Sequence, residues 1–133
     1  MDIYTSRDAM TTAEQEALVL QFNECINRRD RDGLAALLTG DHTFIDSAGH
    51  IIHGSEKVLQ AWKGFFGAFP DYRNTFESLA SKGDLISITG HSSCSDERLQ
   101  GPVLWTARVR DGKITEWRVY NDTPENRRLL GIC

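Results

Sequence analysis

The sequence predicts an α+β fold in which three helices pack on one face of an antiparallel sheet, and three observations carry that prediction. Apolar residues recur at helical spacing as far as Phe69, the period changes to two from Tyr72 onward, and a two-residue turn signal, Asp111-Gly112, joins the last two extended stretches. Helices come first and sheet last, as expected for a protein whose layers are segregated along the chain. A sheet of this kind twists and curls around its helices, so a pocket is expected between the two layers.

The elements follow in order. Thr12 with Gln15, or Thr11 with Glu14, forms a capping-box start, and Leu18, Phe22, Cys25 and Ile26 then lie on one stripe of a helix running to about Arg29. Asp30 caps a second, short helix with Leu34, Leu37 and Leu38 on its apolar face, and Gly40 is placed where a helix C-terminus favours positive φ. "HTFID" reads as a strand broken at Gly49. Ser55 opens a third helix carrying Val58, Leu59, Trp62, Phe65, Phe66 and Phe69, stopped at Pro70. Four strands follow over about 72–80, 85–93, 103–110 and 113–121, separated by "SKGD", "SDERLQGP" and the Asp111-Gly112 turn.

Bulk properties narrow the function. A chain of 133 residues suits one domain spanning 1–133, with residues 1–11 expected as a loose N-terminal segment. With 40% hydrophobic and 26% charged residues, the composition is that of a soluble globular protein. Net charge is -4, and the 15 basic residues are scattered among 19 acids, which argues against nucleic acid as partner, while no window approaches the ~18 consecutive apolar residues of a membrane span. The beginning of the chain shows no apolar leader, and three cysteines leave one unpaired in any disulfide scheme, so a reduced, cytoplasmic setting is expected. Cys25 falls on a helix stripe, where a thiol behaves as a small hydrophobe. The cysteine and histidine spacing matches no metal site, and there is no phosphate loop, nucleophile elbow or dinucleotide fingerprint, so no cofactor is expected.

Three titratable residues are candidates for proton-transfer chemistry. Asp46 follows Phe44 by two on the early strand and shares its face, so it either stands on an apolar wall as a base or bonds the turn "DSAG". His91 lies beside Ser87 and Thr89 on one strand face, as a proton shuttle or as a satisfied strand-end imidazole. Asp122 ends the last strand just before Thr123-Pro124, where Asp or Thr is a helix N-cap with Pro at the first helical position. On that strand Ile114, Glu116, Arg118 and Tyr120 share one alternation and Thr115, Trp117 and Val119 the other, so neither face reads as cleanly apolar. Candidate walls for a bound molecule are Phe22, Phe44, Trp62, Phe66, Trp105 and Tyr120, each of which core packing also explains.

Taken together, "NRRDRDGLAALL", "FIDSAG" followed by Gly54 and a helix, "FPDY", and "DGKITEW" leading to Asp122 and "LLG" resemble the nuclear transport factor 2-like superfamily and, within it, the SnoaL-like proteins. The resemblance implies a cone-shaped, curved antiparallel or mixed sheet with about three helices on its concave face. It further implies a homodimer formed through the outer sheet face and a small hydrophobic ligand, with cofactor-free isomerase, cyclase or lyase chemistry where a member is an enzyme. Asp46 is then similar to the general base of ketosteroid isomerases, and Asp122 with His91 to the acid–base pair of the cyclases. The isomerases' helix tyrosine is replaced here by Phe22, no acid occurs within 103–109, and Trp117 stands one place earlier than in the cyclase pattern. A non-catalytic ligand-binding or dimerisation module of the same fold is the alternative.

Overall fold

The structure is a computed structural model that describes residues 10–132. Most of the expected loose N-terminal segment, residues 1–9, lies outside them, whereas Thr11 is already structural. Its side chain accepts from the Glu14 N–H and its own N–H donates to Glu14, completing the capping box of helix α1, Thr12–Arg28. Helix α1 buries Leu18, Val19, Phe22, Cys25 and Ile26 and ends where Arg29 turns to the left-handed region at φ 56°. Asp30 accepts from the Gly33 N–H and starts helix α2, Arg31–Leu37.

Helix α2 passes straight into strand β1, Leu38–Ile45, because Leu38 is already extended. Gly40 therefore lies inside the strand and does not end the helix, a correction to the sequence-based boundary. Strand β2, Ile51–His53, pairs back on β1, and Gly54 leads into helix α3, Ser55–Ala68. Strands β3, Arg73–Lys82, β4, Leu85–Ser93, β5, Gly101–Arg110, and β6, Lys113–Asn121, follow, with a short 3₁₀ turn at Glu97–Leu99. Asp111 and Gly112 both take positive φ, as a two-residue hairpin loop demands. Helix α4, Pro124–Leu129, closes the described chain.

The six strands form one sheet in the order β2-β1-β6-β5-β4-β3. All neighbours are antiparallel except β1 and β6, which run parallel with Phe44 beside Trp117 and Ile45 beside Arg118. That single long-range pairing makes the sheet mixed. It also brings the end of the early strand against the middle of the last one.

Bulges decide which way the strands face. The register between β5 and β6 slips at Arg108 and Val109, so Val109 sits opposite Ile114 while Arg108 sits opposite Glu116. Ile114 and Trp117, which strict alternation puts on opposite faces, are consequently both buried at 0% and 1% exposure. β6 is thus apolar toward the helices, and the mixed pattern in its sequence comes from one extra residue. The core cluster runs from Phe22 of α1, 4.5 Å from Trp117, through Phe76 to Trp105 at 5.0 Å.

One buried polar group sets a pH limit on this core. His42 is fully buried; its Nδ1–H donates to the Ile114 carbonyl at 2.8 Å, and Nε2 has no hydrogen-bond partner. Burial, the largest influence, holds its pKa below the ordinary histidine value, only partly countered by the Ile114 carbonyl and Asp41. A base whose folded pKa is depressed gives stability that is present above the unfolded pKa, about 6.5, and is lost as pH falls below it. We expect wild-type stability to fall by up to about 1.4 kcal/mol per pH unit more steeply than that of His42→Gln between pH 6.5 and 5. Parallel urea titrations across that window check it, and equal slopes would remove the assignment.

Candidate functional site

A cleft of about 240 Å³ opens between α3 and the concave face of the sheet. Six aromatic residues line it: Phe44, Trp62, Phe65, Tyr72, Trp105 and Trp117. On the helix side the i, i+3 spacing of Trp62 and Phe65 aims both rings the same way, and each stands edge-on to a neighbour: Trp62 to Phe44 and to Phe65 at 5.7 Å, Phe65 to Tyr72 at 4.8 Å. On the sheet side Trp105 and Trp117 are held by Phe76, which touches both rings.

Polar atoms enter this surface at two places. Deep on one wall, Ser92 donates to Asn74 Oδ1 at 2.7 Å, so the Tyr72 hydroxyl, 3.1 Å away, donates to Ser92 and leaves its own oxygen to accept. Burial pushes the Tyr72 phenol above its usual pKa, partly offset by its hydrogen bonds to Ser92 and Asn74. Asn74 is fixed through its backbone: Asn27 donates to its carbonyl at 2.9 Å and accepts its N–H at 2.8 Å, and Asn23 adds a third contact.

At the mouth stands Asp46, with its side chain 40% exposed. Its Oδ1 accepts from the N–H groups of Ala48 and His50, each at 2.9 Å, and its Oδ2 meets His50 Nδ1 at 3.0 Å. The turn reading is realised, and the same side chain, while shaping the β1–β2 turn, also borders the cleft. Burial is the largest single influence on its pKa and raises it. The hydrogen bonds from the His50 N–H, the His50 ring and the Ala48 N–H together outweigh burial and hold the carboxyl below its ordinary value.

The other two titratable candidates face elsewhere. Ser92 points into the protein and His91, its neighbour on β4, is exposed on the convex face. Asp122 forms a two-pronged ion pair with Arg127, Nε at 2.6 Å and Nη2 at 2.8 Å, while the helix cap is supplied by Thr123, which accepts from the Asn126 N–H. Arg127 accounts for the depressed Asp122 pKa. Asp46, His91 and Asp122 are thus not brought together. The sheet lies between the cleft and His91, and β6 has already left the cleft when it reaches Asp122.

Of the expected walls, Phe44, Trp62 and Trp105 line the cleft. Phe22 is fully buried under Trp117, Phe66 packs 5.5 Å behind Trp62, and Tyr120 lies on the convex face with the Arg118 guanidinium 4.8 Å over its ring. Helical or strand spacing places a ring on a face without saying how deep it sits. The residues not anticipated as lining are chiefly Phe65, Tyr72, Asn74 and Trp117. Phe65 was visible as the i+3 neighbour of Trp62, and Trp117 as the partner of Val119, whereas no local signal marks Asn74.

Among the described residues, three longer helices and a six-stranded mixed sheet form an α+β fold with an aromatic cleft between helix α3 and the sheet. The model of the SnoaL-like domain family matches residues 19–117, and the chain belongs to that family. A search of curated proteins finds no match. Among solved structures, a candidate polyketide cyclase from Sinorhizobium meliloti aligns with a TM-score of 0.73 at 16% identity, over 83% of this chain and 99% of that one. An LEH-like epoxide hydrolase from M. tuberculosis aligns at 0.72 and 20%, over 84% of both chains. A candidate ketosteroid isomerase from Kribbella flavida gives 0.71 and 20%, over 90% and 88%. At these identities the likeness establishes the fold. Among the described residues no helix is long and apolar enough to cross a membrane.

Proposed function

We propose that the chain is a small-molecule-binding protein whose cleft takes a compact, largely apolar ligand and orients it through one polar end. The observation that carries this is a wall of six aromatic rings with few other polar side chains, Tyr72 and Asn74 at one place and Asp46 and Ser47 at the mouth. Pockets of this composition gain affinity from apolar burial and orientation from a few placed polar groups. A volume of about 240 Å³ suits a ligand between benzene and roughly twice its size.

Catalysis by proton transfer on a carbonyl compound is a second reading, favoured by the presence of a carboxylate, Asp46, and a phenol, Tyr72, in one apolar cleft. It works against the chemistry of Asp46 as found, because a base is most effective with a pKa near the working pH and this carboxyl is held low. His91 on the convex face and Asp122, paired with Arg127 beyond the end of β6, are not supported as partners in the cleft.

Thermal-shift titration with small aromatic and alicyclic carbonyl compounds, alcohols and amines tests the binding reading. A subset should stabilise the protein saturably, and Ala61→Phe, which fills the mouth from an exposed helix position, should abolish the effect while leaving the unliganded melting temperature within about 2 °C. Equal shifts from every compound, or shifts that survive Ala61→Phe, would refute it. Loss of turnover in Asp46→Asn with ligand stabilisation intact would establish the second reading.

A further inference from the structure

We infer that the ligand class of this cleft is a small organic cation, a protonated amine or quaternary ammonium on an apolar body, held over the aromatic rings with the Asp46 carboxylate as its counter-ion. The inference rests on the binding reading above and names the chemistry that the site selects.

Three features of the geometry support it. First, the lining gathers six aromatic rings, Phe44, Trp62, Phe65, Tyr72, Trp105 and Trp117, around one small volume. Aromatic faces carry negative quadrupole potential, and several converging on one space form an ammonium site, with tryptophan contributing most. Second, the charge is one-sided. Among the described residues, Asp46 is the only carboxylate in the lining, which contains no lysine, arginine or histidine. Arg29, which reaches the Tyr72 carbonyl, is not part of the lining, and its guanidinium is committed to the backbone oxygens of Asn27, Pro70 and Tyr72.

Third, acceptors stand at both polar places of the cleft. The Tyr72 proton is committed to Ser92, so its oxygen acts as an acceptor, with the Asn74 amide beside it. Asp46 Oδ1 is occupied by two N–H groups, but Oδ2 has only the His50 ring as partner. An anionic ligand finds no positive partner in such a lining. A cation finds both a counter-ion and acceptors. The low pKa of Asp46, a drawback in a base, keeps a counter-ion charged throughout the neutral range.

The test uses three probes that share one branched shape and differ in charge: choline, its uncharged carbon analogue 3,3-dimethylbutan-1-ol, and 3,3-dimethylbutanoate. Dissociation constants come from NMR titration of the full chain, following the tryptophan indole N–H signals. Choline is expected to bind at least tenfold more tightly than the alcohol, and the carboxylate to bind weakest. In Asp46→Asn the preference for choline over the alcohol should shrink to threefold or less with alcohol affinity unchanged, and in Trp62→Leu choline affinity should fall at least fivefold. Asp46→Asn tests the charge without removing a core side chain, so a folding failure of Trp62→Leu leaves the experiment decisive. If the alcohol matches choline, or Asp46→Asn leaves the preference intact, the cation inference is overturned while the binding reading stands. If none of the three perturbs the cleft indoles, the binding reading falls with it.

Discussion

Gly90→Ala is expected to destabilise the protein by about 3 kcal/mol or more, an unusually large effect for adding one methyl group. A Cβ built on Gly90 would lie 2.0 Å from the Thr75 carbonyl oxygen and 3.1 Å from Phe76 Cα. Both are backbone atoms of β3 at the point where its pairing with β4 shifts register, between Phe76 and Ser78. Ladder bonds on either side hold the two strands, so the methyl group cannot be accommodated by a rotamer change and must push the strands apart. Phe76 sits at that point and supports Trp105 and Trp117, so the damage reaches the cleft wall. Gly64→Ala, in α3 where an added Cβ meets nothing within 4 Å, serves as the control and should stabilise by roughly 0.5–1 kcal/mol. Urea denaturation of the two variants measures both numbers. A Gly90→Ala loss below about 1 kcal/mol would mean that β3 and β4 are not this close.

Arg29→Ala is expected to cost about 3 kcal/mol, since one guanidinium closes three elements together. Nη1 donates to the Asn27 carbonyl at 2.6 Å, and Nη2 donates to the carbonyls of Pro70, at 2.6 Å, and Tyr72. The planar head also lies 5.9 Å from the centre of the Phe66 ring. Removing it leaves carbonyls at the end of α1 and at the start of β3 without their charged donor, at a point where each such bond is worth about 1.5–3 kcal/mol. Arg29→Lys should recover less than half of the loss, because one ammonium cannot span the fork. Arg29→Gly should be milder than Arg29→Ala by up to about 1 kcal/mol, because φ 56° strains any residue with a Cβ. Chemical denaturation of the three variants orders them. If Lys substitutes fully, the fork geometry is not what stabilises this junction.

These two positions also show what a sequence makes visible. Both act through backbone atoms distant in the chain, Arg29 on the carbonyls of Pro70 and Tyr72, and Gly90 against Thr75. The interactions that were legible are short-range. The Thr11–Glu14 capping box, the Asp30 cap, the Asp111-Gly112 hairpin and the ring stripe of α3 each depend on residues within about eight positions of one another. Family membership was legible for a related reason, since such local signatures recur in a fixed order along the chain.

The candidate site was half legible. Asp46 was found because Phe44 and Asp46 are two apart, and Phe44, Trp62 and Trp105 because large rings are few. His91 was singled out by the hydroxyls on its strand face and Asp122 by its place before Thr123-Pro124, with the family resemblance pairing them, and the geometry sends them to other surroundings. For Asp122 the deciding contact is an arginine five residues on, in a helix whose cap is the next residue, Thr123.

By itself the sequence determined most element types, the N-terminal caps of the first two helices, the helical faces and the layered α+β order, because periodicity, capping and turn chemistry operate over one or two turns of chain. Only the tertiary structure decided that β1 runs parallel to β6, that a bulge turns Ile114 and Trp117 to the same side, and that six rings and one carboxylate share a cleft. Strand pairing and register are settled by the free energy of closing long loops and burying whole faces, and one inserted residue reverses every side chain beyond it.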